Sequence, residues 1–363
     1  MLAPRAHVEI DGKAIRWTDI IDLHVSLTLY MAADTFEISL RNDKLLSDWL
    51  RKNQEVRIWL GYSSDPNRVQ KSELTHIFTG KIDAVEPDFS DQMTVRIAGR
   101  DYSSLLIDTQ FSAAYAERTS SQLAEMLFKK HGIVANVTPT SDIIERDAYD
   151  RKKEWELLQA AADLEDFVCY VDKNKAGYFG PRNLADDEVV ANYYYRQGMA
   201  SNVGSVKFMD SAIDCYNKVT VRHYTKKKLI EASAKDDKLV EELGQEKERI
   251  VYSSKAKTQA KAQEIANNLL PELSRYVITG KIGRAVGNPH IGCEKKVGVH
   301  GCGRFDGNYY VERVDHHLSK AGYTIDLDIT SLRPDEAQQY RDDLYNKEHS
   351  ILGGSSSLGK GMM

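Results

Sequence analysis

Cysteine is scarce in this 363-residue chain. Cys169, Cys215, Cys293 and Cys302 are few for the length and widely scattered. That usage predicts reduced thiols in a protein made in a cytosol. No apolar run reaches the length of a membrane span, so no membrane insertion is expected. The first ten residues, MLAPRAHVEI, lack the apolar stretch of a signal peptide. Basic charge is not in excess: 49 Lys and Arg face 54 Asp and Glu, for a net charge of −5. There is thus no broad electrostatic footprint for nucleic acid. Catalytic motifs are missing as well. No Gly-x-Ser-x-Gly, His-Glu-x-x-His or catalytic-cysteine context occurs. No two carboxylates stand out as a glycosidase pair. The chain is expected not to be an enzyme, with no catalytic, cofactor-binding or metal-ligating residue assigned and no cofactor required.

What is abundant is tyrosine, nineteen in all. Tyrosine suits strands and large interfaces, where the ring is buried and the hydroxyl finds a partner. Short alternating apolar runs also recur. Val8 and Ile10 precede the turn Asp11-Gly12, then come Ile15 and Trp17, Leu23 to Leu29, Phe36 to Leu40, and Val56 to Leu60. The pattern predicts antiparallel strands joined by tight turns. Residues 102–200 read differently. Thr119-Ser-Ser-Gln122 is a capping box for a helix that stops at His131-Gly132. A second helix carries Trp155, Leu158 and Ala162 on one face and ends near Asp166, before a strand pair. Tyr193 to Tyr195 read as core.

One pattern occurs twice. Phe78-x-Gly80-x-Ile82-x-x-Val85 matches Phe305-x-Gly307-x-Tyr309-x-Val311-x-x-Val314, and each is followed by a turn and an alternating strand. Two copies so far apart argue against a solenoid and for two similar β units. The expected fold is α+β and mostly β. It has a first small antiparallel β-barrel over 1–105, an α+β middle domain over 106–200 and a second barrel over 201–332. A C-terminal helix and flexible tail follow over 333–363. The densely charged stretch 226–249 reads as a solvated hairpin or insertion. A helix is expected from Ser254 or Lys255 to about Pro271.

Several local patterns lead nowhere. Gly354 to Lys360 fits the first positions of a phosphate loop, but Gly361 replaces the Ser or Thr and no helix can follow. His290, Cys293, His300 and Cys302 lack metal-site spacing. His316 and His317 are adjacent in a strand and point to opposite faces. Asp326 and Asp328 share one face, read as solvent. The tail from Gly353 to Met363 cannot order itself and is read as a docking peptide if ordered.

The order of these features resembles the late control D family, the baseplate hubs of contractile tails, and the N-terminal hub half of VgrG spike proteins. The resemblance rests on the Phe78 unit with Gly99-Arg100-Asp101, on Ser121 to Gly132, and on Lys153 to Leu158. It also rests on Gly287-Asn288-Pro289 with Gly298 to Ile329. It implies a structural baseplate hub of a phage tail, tailocin or extracellular contractile injection system, assembled in the bacterial cytoplasm. It implies a homotrimeric ring between a three-fold spike and a six-fold tail tube. The implied partners are a trimeric spike protein, a tail tube or tube-initiator protein and other baseplate proteins, with cargo or DNA passing through the ring. The alternatives are a tail-associated peptidoglycan hydrolase on the same scaffold and a VgrG-like secretion spike component.

Overall fold

The computed structural model describes residues 3–331 apart from 29–32, 66–68, 112–117, 142–151, 166, 182–187, 197–200, 214, 225–227, 254 and 275–277. The protein is mostly β with a few helices. It comprises two compact units. The first is residues 1–187, 286–293 and 313–326; the second is residues 188–285, 294–312 and 327–363.

The first unit opens with strands β1 (Ala3–Ile10), β2 (Lys13–Ile15), β3 (Ile20–Thr28) and β4 (Thr35–Arg41). Strands β5 (Glu55–Ser63), β6 (Leu74–Asp88) and β7 (Thr94–Asp101) follow. Asp11 and Gly12, at φ 46° and 74°, both adopt the left-handed backbone that a two-residue β1–β2 turn requires. The strands pair antiparallel in the order β2-β1-β5-β6-β7-β4-β3. Their alternating apolar residues, among them Val8, Val25, Ile38, Ile58 and Ile97, are buried on one face. A β-bulge falls between Ile82 and Ala84 of β6. Gly99 is required where β7 meets β6, because a Cβ there would lie 1.9 Å from the Lys81 carbonyl oxygen.

Next come α1 (Ser104–Asp108), β8 (Gln110–Phe111), α2 (Ser120–Lys130), β9 (Val134–Val137), β10 (Lys152–Lys153), α3 (Glu154–Glu165), β11 (Val168–Val171) and β12 (Ala176–Gly180). The expected capping box is present: the Thr119 hydroxyl accepts from Gln122 N–H, and the Gln122 side chain accepts from Thr119 N–H. Gly132, at φ 68°, follows the helix end. Helices α2 and α3 share a core of Leu123, Leu127, Phe128, Trp155, Leu158 and Phe179. The buried Glu154 carboxylate binds Lys130 Nζ and His131 Nε2, each at 2.5 Å, and so joins the end of α2 to the start of α3.

The second unit holds β13 (Val189–Tyr194), β14 (Ser205–Asp210), β15 (Lys218–Tyr224), β16 (Leu229–Lys235), α4 (Asp237–Leu243), β17 (Glu248–Tyr252) and α5 (Gln259–Ser274). It continues with β18 (Ile278–Val286), β19 (Lys296–His300) and parts of β20 (Gly307–Ser319) and β21 (Gly322–Thr330). The charged stretch 226–249, expected as a hairpin or insertion, forms regular elements over its described residues. It supplies β16, α4 and the first two residues of β17, and β16 and β17 flank β15 in a three-stranded sheet. Val219, Val221, Ala232 and Ala234 of that sheet pack against Ala262 and Ala266 of α5. The many charges lie on outer positions, where alternation hid a half-buried sheet. Helix α5 starts later than expected and runs past Pro271, which lies inside its final turn. A proline there forfeits one hydrogen bond but does not end the helix.

The five strands β3 to β7 run in the order β3-β4-β7-β6-β5. Strands β14, β18, β19, β20 and β21 run in the order β14-β18-β21-β20-β19. Taken in chain order, the two sets have the same topology, so the duplicated β unit is real. The expected closed barrels are not found: the strand path among the described residues stays open, with β2 and β14 at its ends. Closure requires terminal strands to pair with each other. The C-terminal helix and the tail lie outside the described residues.

Candidate assembly surface

The two β units agree at the level of single hydrogen bonds. Asn53, at φ 68°, donates its N–H to the Ile82 carbonyl at 2.8 Å, and Ile82 N–H donates to the Gln54 carbonyl at 3.0 Å. In the second unit Glu294, at φ 65°, donates to the Val311 carbonyl at 2.8 Å, and Val311 N–H donates to the Lys295 carbonyl at 3.0 Å. At the far side of each unit, Asp101 N–H donates to the Asp34 carbonyl and Ser331 N–H to the Ile278 carbonyl, both at 2.9 Å. Ile82 therefore corresponds to Val311, Val85 to Val314, and Asp34 to Ile278. The burial alternation of β20 shifts between Val311 and Val314, as the bulge shifts β6 between Ile82 and Val85.

The edges differ. Strand β3 pairs with β4 on one side and with Arg313–Ser319 of β20 on the other, and both of those segments lie in the first unit. Its counterpart β14 pairs with β18 alone among the described residues. The counterpart of Arg313–Ser319 is the end of β6. Pairing of β6 with β5 stops at Lys81, and from Ala84 to Asp88 it pairs only with β7. Apolar residues sit exposed at both open edges: Phe89 is 62% exposed and Met209 60%.

The seam between β3 and β20 shows what a completed edge looks like. The His24 and His317 rings stack 4.3 Å apart, His24 lies 3.3 Å from Asp315, and His317 lies 3.6 Å from Asp326. Burial pulls the His317 imidazole below its usual value. His316 faces the opposite way, as expected. It is buried, shares a 2.8 Å hydrogen bond with the Tyr323 hydroxyl, and is pulled down to about 4 by burial. Val314, His316 and Leu318, on one face of β20, are all buried.

The remaining candidates are dispersed. His300 hydrogen-bonds to Asn192 at 3.0 Å and stacks on Tyr194, while His290 is exposed. Among the described residues no group of three or more His, Cys, Asp or Glu is placed to hold a metal. Tyr193 is core, whereas Tyr194 is half-exposed. Asp326 and Asp328 are half-exposed and pair with His317 and Lys281. The stretch 354–360 lies outside the described residues. No helix among the described residues is long and apolar enough to cross a membrane. Sequence reasoning missed the acid pair Asp34 and Asp101. Burial pushes both carboxyls well above the usual range, and their mutual repulsion raises Asp34 further. Only the strand register brings the two together.

This fold is shared with solved tail proteins. The 43 kDa tail protein of prophage MuSo2 from Shewanella oneidensis matches with a TM-score of 0.68 at 14% identity, over 91% of this chain and 98% of that one. The tail protein from Neisseria meningitidis MC58 matches at 0.69 and 14%, over 91% and 97%. The E. coli c3393 protein, a component of the type VI secretion system, matches at 0.51 and 12%, over 90% and 79%. At these identities the likeness is one of fold. No curated protein matches in sequence. The YQBQ-like family model matches residues 29–330, and the chain is therefore a member of the YQBQ-like family with the fold of phage tail and type VI spike-related proteins.

Proposed function

We propose that this protein is a structural hub of a tail or injection-system baseplate, working as a trimeric ring between a three-fold spike and a six-fold tube. The observation that carries the reading is the duplicated β unit. Two equivalent units per chain become six in a closed ring of three chains, which matches six-fold symmetry on one side and three-fold on the other. The solved tail proteins of the same fold support this setting. In this reading the duplicated β units within residues 1–105 and 201–332 build the ring wall. The partners are the spike, a tube or tube-initiator protein and other baseplate proteins, with assembly in the bacterial cytoplasm. The chain acts without catalysis.

A reconstruction of the assembled particle tests this. Three copies at the baseplate support the ring; one, two or six contradict it. Peptidoglycan turnover abolished by a single Asp or Glu substitution would contradict the absence of catalysis.

A further inference from the structure

Strand β3 is completed within its own chain by β20, whereas the equivalent strand β14 has an open edge among the described residues. The segment equivalent to the covering stretch of β20 is the end of β6, which also has an open edge. From this we infer that the end of β6 in one copy of the chain pairs antiparallel with β14 of a second copy, repeating between chains the seam that β20 makes on β3 within one chain. The inference rests on the hub reading for its setting and adds to it the interface and its register.

The register follows residue by residue. Within the chain Val314 pairs with Leu27, His316 with Val25, His317 with His24 and Leu318 with Leu23. The hydrogen bonds that equate Ile82 with Val311 and Asp34 with Ile278 carry these pairs over. Thr35 pairs with Ser26 and Thr279 with Met209, so β3 corresponds to β14 with Ser26 at Met209. Between copies, Val85 then faces Asp210, Pro87 faces Phe208, Asp88 faces Lys207 and Phe89 faces Val206.

Apart from Val85 against Asp210, which pairs with Arg304 in its own chain, the side chains named fit that register. Pro87 and Phe89 meet Phe208 and Val206, apolar against apolar. Lys207 has no ion-pair partner among the described residues. In this register it faces Asp88 and lies diagonal to Glu86, within the reach of cross-strand partners. The seam on β3 has the same layout: His24 faces His317 and lies diagonal to Asp315. Pro87 and Phe89 are exposed, while their equivalents His316 and Leu318 are buried. Pro87 lacks an N–H and removes one ladder bond, as edge prolines do. It thereby also discourages pairing with unrelated strands. A β6–β14 contact joins two different edges, so it is head-to-tail, the kind of contact a closed ring of chains is built from.

Cross-linking tests the pairing. Asp88 and Lys207 are both exposed, and directly opposed residues approach within disulfide range. Two differently tagged chains, one carrying Asp88→Cys and the other Lys207→Cys, are co-expressed in cells that assemble particles. The particles are then oxidised and run on a non-reducing gel beside wild type and each single variant. The expected result is a dimer band carrying both tags, about tenfold stronger than with either variant alone. A band from Asp88→Cys alone or Lys207→Cys alone would mean like-edge pairing and overturn the inference. Particles holding three copies without a mixed dimer would also overturn it while leaving the hub reading intact. A mixed dimer in particles with a different copy number would keep the edge pairing and remove the three-chain ring. If the cysteine variants fail to assemble, Lys207→Glu and its partner Asp88→Lys decide. Each alone is expected to lower particle yield several-fold and the two together to restore it, and no restoration overturns the inference.

Discussion

The two β units share topology and differ in filling. At the position where the first has Phe78, the second has Gly307; where the first has Gly80, the second has Tyr309. Phe78 and Tyr309 are both fully buried. Each unit thus places one large ring and one glycine on the same face of its long strand, in opposite order. The fold needs a ring volume under that strand, and either of two neighbouring positions can supply it. The units also differ in what separates their first two strands. In the first, β3 reaches β4 through residues 29–34. In the second, the interval 211–277 contains a module with its own core. A hairpin connection tolerates such an insertion because long loops add little closure entropy.

The largest effects are expected from emptying either ring position. Phe78→Ala and Tyr309→Ala should each destabilise the protein by about 3–5 kcal/mol, read from denaturant midpoints. Comparable losses support equivalent packing. A loss confined to one of them breaks the comparison.

Next in size is the insertion. Leu239, in the first turn of the Asp236-capped helix α4, is fully buried. Leu239→Ala should cost about 2–4 kcal/mol. Hydrogen exchange should rise in β15 to β17 and stay unchanged in β18 to β21 if the module is an independent addition. Exchange rising in both would show that the second unit depends on its insert.

The acid pair distinguishes the units by pH. Asp34 and Asp101 belong to the first, and their equivalents Ile278 and Ser331 do not titrate. Both carboxyls have folded values raised above the unfolded ones. Their contribution is therefore full at low pH and falls as pH rises through neutrality, by at most about 1.4 kcal/mol per pH unit for each. Asp34→Asn should flatten the pH dependence of stability between the usual carboxylate range and neutrality; an unchanged slope would contradict the assignment. His316 acts in the opposite sense. Its lowered folded value makes stability fall as pH drops from about 6.5 toward about 4.

The smallest effect belongs to the surface. Arg96 bridges Glu37 and Glu86 on the outer face of the first sheet, all three well exposed. Arg96→Ala should cost less than about 1 kcal/mol and lose even that in salt.

Much of this fold was legible in the sequence. The β1–β2 turn, the alternating strands, the capping box at Thr119 and the faces of His316 and His317 follow from local chemistry. So does the existence of a second β unit. The residue-level alignment of the two units did not follow. Matching Phe78-x-Gly80 to Phe305-x-Gly307 places them two residues out of register, and Phe305 lies in a short turn before β20. A slip of two keeps every side chain on its face, so alternation cannot detect it. The end of the same match, Ile82-x-x-Val85 against Val311-x-x-Val314, is in register because the bulge breaks the period of two. The sheet within the insertion was not legible because its buried positions are mostly alanine with two valines, which carry little periodic signal. The open edges and the Asp34–Asp101 pair were hidden for a different reason: both depend on which strands become neighbours across long stretches of chain. The resemblance to late control D hubs and VgrG leads to the same tail-protein fold, while the family model that matches is the YQBQ-like one.

A closed ring of three chains would turn the two equivalent β units of each into six, as proposed above. The most direct measurement is the number of copies at the baseplate, by reconstruction of the intact particle without imposed symmetry. The expected result is three chains around the axis, presenting six β units at one radius in alternating order. Two chains, six chains, or three chains whose first and second units lie at different radii would contradict it.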